Sequence, residues 1–346
     1  MKKDNQAMEN QKMVTISKMT SALKKGTALI LALTLLLTLT ACQKGGEQMN
    51  DQAKEKTQEK TQEKTTSQND EKKYKIMATS TMLTDLAKII GGDKVEVKGL
   101  MAAGVDPHLY QPTAGDITKL QEADMVVING LHLEGQMGEV FSRLESANKL
   151  VAEVGKSIPE DKLLSFDESP HDPHIWFSVA NWKLAARNVT DTYIKLSEKD
   201  KQYFEDNYAK YVKELDELDA YIREQIALVP ESARVLITAH DAFNYFGEEY
   251  GFDVRGLQGI STESEAAPSD VRELAGFIVE NKIKAIFVES SVPKKTVEAL
   301  QEAVKAKGFD VAIGGELYSD SLGTGAAETY IGMFKENIDV IVGALK

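Results

Sequence analysis

Cysteine is almost absent: one residue, Cys42, in a chain of 346. That excludes a disulfide framework and a thiolate metal cluster. Basic residues are outnumbered, with 41 Lys and Arg against 54 Asp and Glu and a formal net charge of -13. This argues against nucleic acid as a partner and is compatible with a cationic ligand. The apolar run from Ala28 to Leu39 falls short of the ~20 residues that a standard spanning helix requires. No HExxH or comparable hydrolase motif occurs, and there is no His-rich stretch. Histidine itself is scarce, five in all. What is present is ordinary globular material: a hydrophobic fraction of 42% and enough length for two domains.

The N-terminal 41 residues read as a signal peptide. Its basic region ends in Lys24-Lys25, with Met13 and Met19 as alternative starts, and the apolar run follows. Leu39-Thr40-Ala41-Cys42 resembles the bacterial lipobox, in which the cysteine is lipidated and the signal is cleaved just before it. Residues 43 to 73 are rich in Gln, Glu, Lys and Thr, with TQEK repeated. Such a composition cannot form a core, so residues 42–73 read as a lipidated cysteine and a flexible tether. A body held this way works outside the membrane and near its surface, as on a Gram-positive cell.

From Tyr74 to about residue 180 strand and helix signals alternate, which predicts an α/β lobe with a parallel sheet. Thr113 and Asp116 fit a helix start of the capping-box kind. Residues 181–230 lose the strand signals. Tyr211, Leu215, Leu218 and Ile222 recur at helical spacing. About thirty residues of helix, from Glu198 to Leu228, would span roughly 45 Å, enough to run along two lobes. Alternation resumes over residues 231–346 and predicts a second α/β lobe. Its last clear strand is expected at Asp310 to Ile313 and its last helix from about Ala326 to Leu345.

Three histidines fall in loops or at strand ends. His108 and His174 each follow the same Asp-Pro pair, in GVDPHLYQPT and HDPHIWFS, and His240 ends an apolar run in LITAHDAF. Proline fixes φ, and the aspartate can bond nearby backbone amides, so each imidazole is held in place. Neutral imidazole suits zinc, copper, iron and nickel, while carboxylate shifts preference toward manganese. Asp320, in GGELYSDSLG, is the leading carboxylate; Glu263, Glu265 and Glu289 compete with it. His132 and His171 read as rim or structural residues. Both Asp-Pro-His stretches are expected on the first lobe, facing His240 and Asp320 across a cleft.

Several stretches taken together resemble the metal-binding lipoproteins of ABC importers, the TroA-type zinc/manganese group. They are GVDPHLYQPTAGD, NGLHLEGQMGEV, DPHIWFSV, LITAHDAFNYF, GLQGISTESEA, IFVESSVPKKTVEAL and GGELYSDSLG, in that order. The resemblance runs from about Tyr74 to Lys346. It implies two Rossmann-like α/β lobes joined by a long rigid helix, with one ion, Zn2+ or Mn2+, held in the cleft between them. It implies His108, His174, His240 and Asp320 as the ligands, and a membrane permease as the partner. Manganese-selective relatives often carry glutamate where His240 stands, which leans this chain toward zinc or mixed binding; the missing His-rich loop weakens that pull. Glu265, Glu289 and Asp241 are expected close behind the ligands. A shell of three imidazoles and one carboxylate leaves no open position, which favours capture over catalysis; the chain is expected to be a monomer. The rival readings are a tethered metallohydrolase, with Glu265 or Glu289 as its base, and an adhesin with incidental metal binding.

Overall fold

A computed structural model describes residues 72–166 and 169–346. The leader, Cys42 and nearly all of the low-complexity stretch lie outside the described residues.

The first lobe is built from β1 (Tyr74–Ala78), α1 (Thr81–Gly91), β2 (Val95–Gly99), α2 (Ala114–Glu122), β3 (Met125–Ile128), α3 (Gly138–Ser146) and β4 (Val151–Glu153). Its four strands are all parallel, in the order β2-β1-β3-β4. β3, Met-Val-Val-Ile, is buried along its whole length, as a strand covered by helices on both faces must be. α2 begins as its sequence predicts. Thr113 Oγ1 accepts from the Asp116 backbone N–H, and Asp116 Oδ2 accepts from the Thr113 backbone N–H, satisfying two donors that the helix cannot use.

Two helices follow, α4 (Val179–Leu196) and α5 (Lys201–Ile226). Ser197 breaks them, and a 3-10 turn over Glu198–Asp200 leads into α5. α5 has 26 residues and is therefore about 39 Å long. Its first half is tied to the first lobe: Asn207 Nδ2 donates to the Ile90 carbonyl at 2.9 Å, and the Tyr203 hydroxyl accepts from the Asp93 N–H at 3.0 Å. Its second half is tied to the second lobe: Tyr221 donates to Asp339 at 2.5 Å, and Asp219 accepts from the Tyr250 hydroxyl at 2.9 Å. Phe204, Tyr211, Leu215, Leu218, Ile222 and Ile226 form its buried stripe.

The second lobe carries β5 (Val235–His240), α6 (Asn244–Tyr250), β6 (Asp253–Gln258), α7 (Pro268–Asn281), β7 (Ala285–Glu289), α8 (Lys295–Ala306), β8 (Ala312–Leu317) and α9 (Tyr330–Leu345). β5 pairs with β6 and β7 with β8, both parallel, and β5 lies alongside β7. One expectation shifts here: β8 runs later than Asp310 to Ile313 and includes Gly314 and Gly315. Glycine disfavours a strand on propensity alone, but here it permits close packing. A Cβ on Gly314 would stand 2.7 Å from the Phe287 ring and 2.9 Å from Ala344, and one on Gly315 would stand 2.5 Å from Val340.

The main hydrophobic core does not stop at a lobe boundary. It runs from Ile76 and Leu86 through Trp182, Tyr211 and Leu215 to Phe243, Phe334 and Leu345. A smaller core lies within each lobe.

Candidate metal centre

The parallel strands end where the cleft begins, and the chain leaves each sheet into a site-forming loop, as open α/β sheets do. After β2, the Leu100 and Met101 N–H groups donate to the Ala78 and Thr79 carbonyls, and the chain then turns into the His108 loop. His108 and His174 sit in the same local turn. Each histidine N–H donates to Oδ1 of the aspartate two residues before it, at 2.9 Å in both. The repeated Asp-Pro-His is thus one backbone device used twice.

The two aspartates then part ways. Asp172 Oδ1 also lies 2.7 Å from Nδ1 of His174, fixing the ring and pointing Nε2 into the cleft. Asp106 turns its other oxygen away from His108, to accept from the Thr262 hydroxyl of the second lobe at 2.6 Å. His240 is the last residue of β5. Its N–H and Nδ1 both engage Glu289, the last residue of β7, at 2.9 and 2.6 Å. Asp320 follows β8.

The four side chains meet. One donor atom from each of His108, His174, His240 and Asp320 lies within 4.8 Å of the others, and all four residues are buried. His240 Nε2 is 3.2 Å from Asp320 Oδ2, His174 Nε2 is 3.4 Å from Oδ1, and His108 Nε2 is 3.3 Å from His174 Nε2. His108 Nε2 stands further from Asp320, at 3.8 Å. Donors held about 2.0–2.1 Å from a tetrahedral ion are about 3.3–3.4 Å from one another, so the spacing suits one such ion. His240 Nε2 and both Asp320 carboxylate oxygens are buried without a hydrogen-bond partner. Leaving such atoms unsatisfied costs about 1–3 kcal/mol each, more for a charged group. A cation in their midst removes that cost.

The carboxylates beside the rings set the charge of the metal-free site. Burial drives the His108 imidazole down to about 3, against the pull of Asp320, so it is neutral at physiological pH. Burial also opposes charge on His174, but Asp172 and Asp320 outweigh it and raise the ring to about 9. His240 is raised in the same way by Glu289 and Asp320. Burial would raise Asp320; His240 and His174 instead hold it well below the carboxylate range.

The remaining candidates are placed as follows. Glu289 is buried against His240. Asp241 Oδ1 accepts from the Gly256 N–H at 2.5 Å, and so braces β6 against the end of β5. Glu265 is exposed and makes no described hydrogen bond to any of the four; Thr262, three residues earlier, is the one that reaches the His108 turn. Glu263 is exposed and accepts from Gln136 at 2.7 Å across the cleft rim. His132 is exposed at that rim with φ 64, and His171 Nε2 stands 3.7 Å from Glu160. Asn129 of the first lobe donates to the Pro173 carbonyl at 3.0 Å, but Tyr245 of the second donates to the Asp172 carbonyl at 3.0 Å. Trp176 packs against the His174 ring at 5.3 Å and donates to the Ser319 carbonyl at 3.0 Å, next to Asp320. The His174 turn therefore touches both lobes. Thr262, Trp176 and Ser319 were not legible as site residues, because each acts only through a distant partner.

Comparison with known proteins agrees with this architecture. The family model described as "ZnuA: Zinc-uptake complex component A periplasmic" matches residues 76–344. The zinc-binding protein TroA of Treponema pallidum (strain Nichols) is 50% identical over 272 residues, 78% of this chain and 88% of that protein. The manganese-binding lipoprotein MntA of Bacillus subtilis (strain 168) is 46% identical over 279 residues, 80% of this chain and 91% of that one. The solved structure of periplasmic TroA from Treponema pallidum superposes with a TM-score of 0.77 at 49% identity, covering 79% of this chain and 99% of that one. The chain belongs to the ZnuA family of periplasmic zinc-uptake components.

Proposed function

We propose that this protein captures one divalent ion, Zn2+ or Mn2+, outside the cell membrane and delivers it to an ABC permease. His108, His174, His240 and Asp320 are its four protein ligands, and Asp172 and Glu289 orient two of the imidazoles. Lipidated Cys42 and the stretch after it hold the body at the outer face of the membrane as a monomer, as on a Gram-positive surface. The observation that carries this reading is the buried group of four donors in which His240 Nε2 and both Asp320 oxygens lack a hydrogen-bond partner. The family membership and the names of the relatives support it further. Four protein donors complete a tetrahedral shell, whereas a catalytic zinc keeps one position for water or substrate. The protein is therefore a carrier and not an enzyme.

Calorimetry of metal-stripped protein tests the proposal. One equivalent of Zn2+ is expected to bind, with Mn2+ weaker, in the order that N/O donor sites usually give. His108→Ala and Asp320→Ala are each expected to lose most of the affinity. Absence of binding, or affinity unchanged in both variants, refutes the ligand set. Elemental analysis of protein from its native host identifies the physiological ion.

A further inference from the structure

The four donors are not held equally. His174 is fixed through its Nδ1 by Asp172 and His240 through its Nδ1 by Glu289. Asp320 follows Ser319, whose carbonyl accepts from the Trp176 indole in the shared core. For His108, by contrast, no described hydrogen bond reaches the outer ring nitrogen. Of the four, His108 alone lines the open cleft of ≈ 480 Å³ that also meets Leu131, His132, Pro173 and Ser261. Its loop is held over the other three by two bonds to the second lobe. The Thr262 hydroxyl donates to Asp106 at 2.6 Å, and the Gly104 N–H donates to the Ser321 hydroxyl, also at 2.6 Å. Asp106 is the carboxylate whose other oxygen sets the His108 backbone.

We infer that Thr262 is a positioning residue for capture: through Asp106 it latches His108 over a partial shell of three donors, His174, His240 and Asp320, and so sets how long the ion stays. This rests on the ligand set proposed above. Three donors stay in place when the latch is open, so an ion enters from the cleft and His108 closes last. Release then requires only that the loop between β2 and α2 come away from Thr262 and Ser321. The shared core need not part. A permease that competes for that loop would unload the protein.

The test is zinc dissociation from the full chain, followed by stopped flow into excess chelator. Thr262→Val removes the hydroxyl and keeps the shape. It is expected to speed dissociation at least tenfold, with the association rate little changed and one zinc still bound per chain. Thr262→Ser restores the donor and is expected to return the slow rate. In an Asp106→Ala background, Thr262→Val is expected to add nothing further. A wild-type rate in Thr262→Val, or failure of Thr262→Ser to rescue, overturns the latch while the ligand set stands. If instead His108→Ala releases zinc no faster than wild type, the ligand set fails and the latch with it. A thermal melt of each metal-free variant separates a lost latch from a lost fold.

Discussion

Glu289 and Asp172 touch imidazole nitrogens and not the space between the donors, so their effect is indirect but specific. A carboxylate on the far nitrogen fixes the tautomer and raises the basicity of the coordinating one; removing such a partner typically costs 10–100-fold in metal affinity. Glu289→Gln is expected to fall in that range in a zinc titration, while one zinc still binds per chain. Asp116 acts on the fold instead. Burial alone would raise its carboxyl, but bonds from Thr113 and Lys119 outweigh it and hold it well below the ordinary range. A carboxyl depressed in the folded state contributes stability above its unfolded value of about 3.9 and loses it as pH falls further. The melting-temperature deficit of Asp116→Ala should therefore narrow as the pH is lowered from about 5 to about 2. A deficit that stays constant over that window would place the effect in packing, not in charge.

At the scale of elements, the piece least legible in the sequence is β8. β8 continues past Ile313 through Gly314 and Gly315, against which α9 lies. Gly314→Val should therefore destabilise the fold although valine favours strands. A Cβ there already stands 2.7 Å from Phe287 and 2.9 Å from Ala344, closer than van der Waals contact, and overpacking of this kind costs about 1–3 kcal/mol. Denaturant titration reads that loss directly, and a variant as stable as the parent would show that α9 can move aside. α5 was legible because Tyr211, Leu215, Leu218 and Ile222 recur three or four residues apart over about three turns. Its role was less so, since the contacts to Ile90, Asp93, Tyr250 and Asp339 that join it to both lobes lie far from it in sequence.

For the whole molecule, the continuous core sets the expected behaviour. Trp176 and Trp182 are both buried in it, so tryptophan emission reports the seam while far-ultraviolet circular dichroism reports both lobes. The two signals should fall together in one cooperative transition. Separate transitions would mean that the lobes unfold independently. Zinc at about 1,000 times its dissociation constant should add about 4.1 kcal/mol to the folded state, and a chelator should remove it.

The sequence alone determined the class of the fold, the long helix, the capping box at Thr113 and the identity of the histidines to pursue. All of these depend on local spacing: the period of apolar residues, a cap three residues from its partner, a proline beside a histidine. It wrote the same Asp-Pro-His turn twice, and both turns form alike. It did not say that Asp172 would secure its own histidine ring while Asp106 would reach for Thr262, 156 positions away. It ranked Asp320 ahead of Glu263, Glu265 and Glu289, but did not place it among the three imidazoles. Those outcomes depend on which loops the two lobes bring face to face, and on burial dense enough to leave one carboxylate with three imidazoles around it. Only the packed tertiary structure decides that, because a donor's neighbours in a metal shell come from chain segments that local chemistry does not connect.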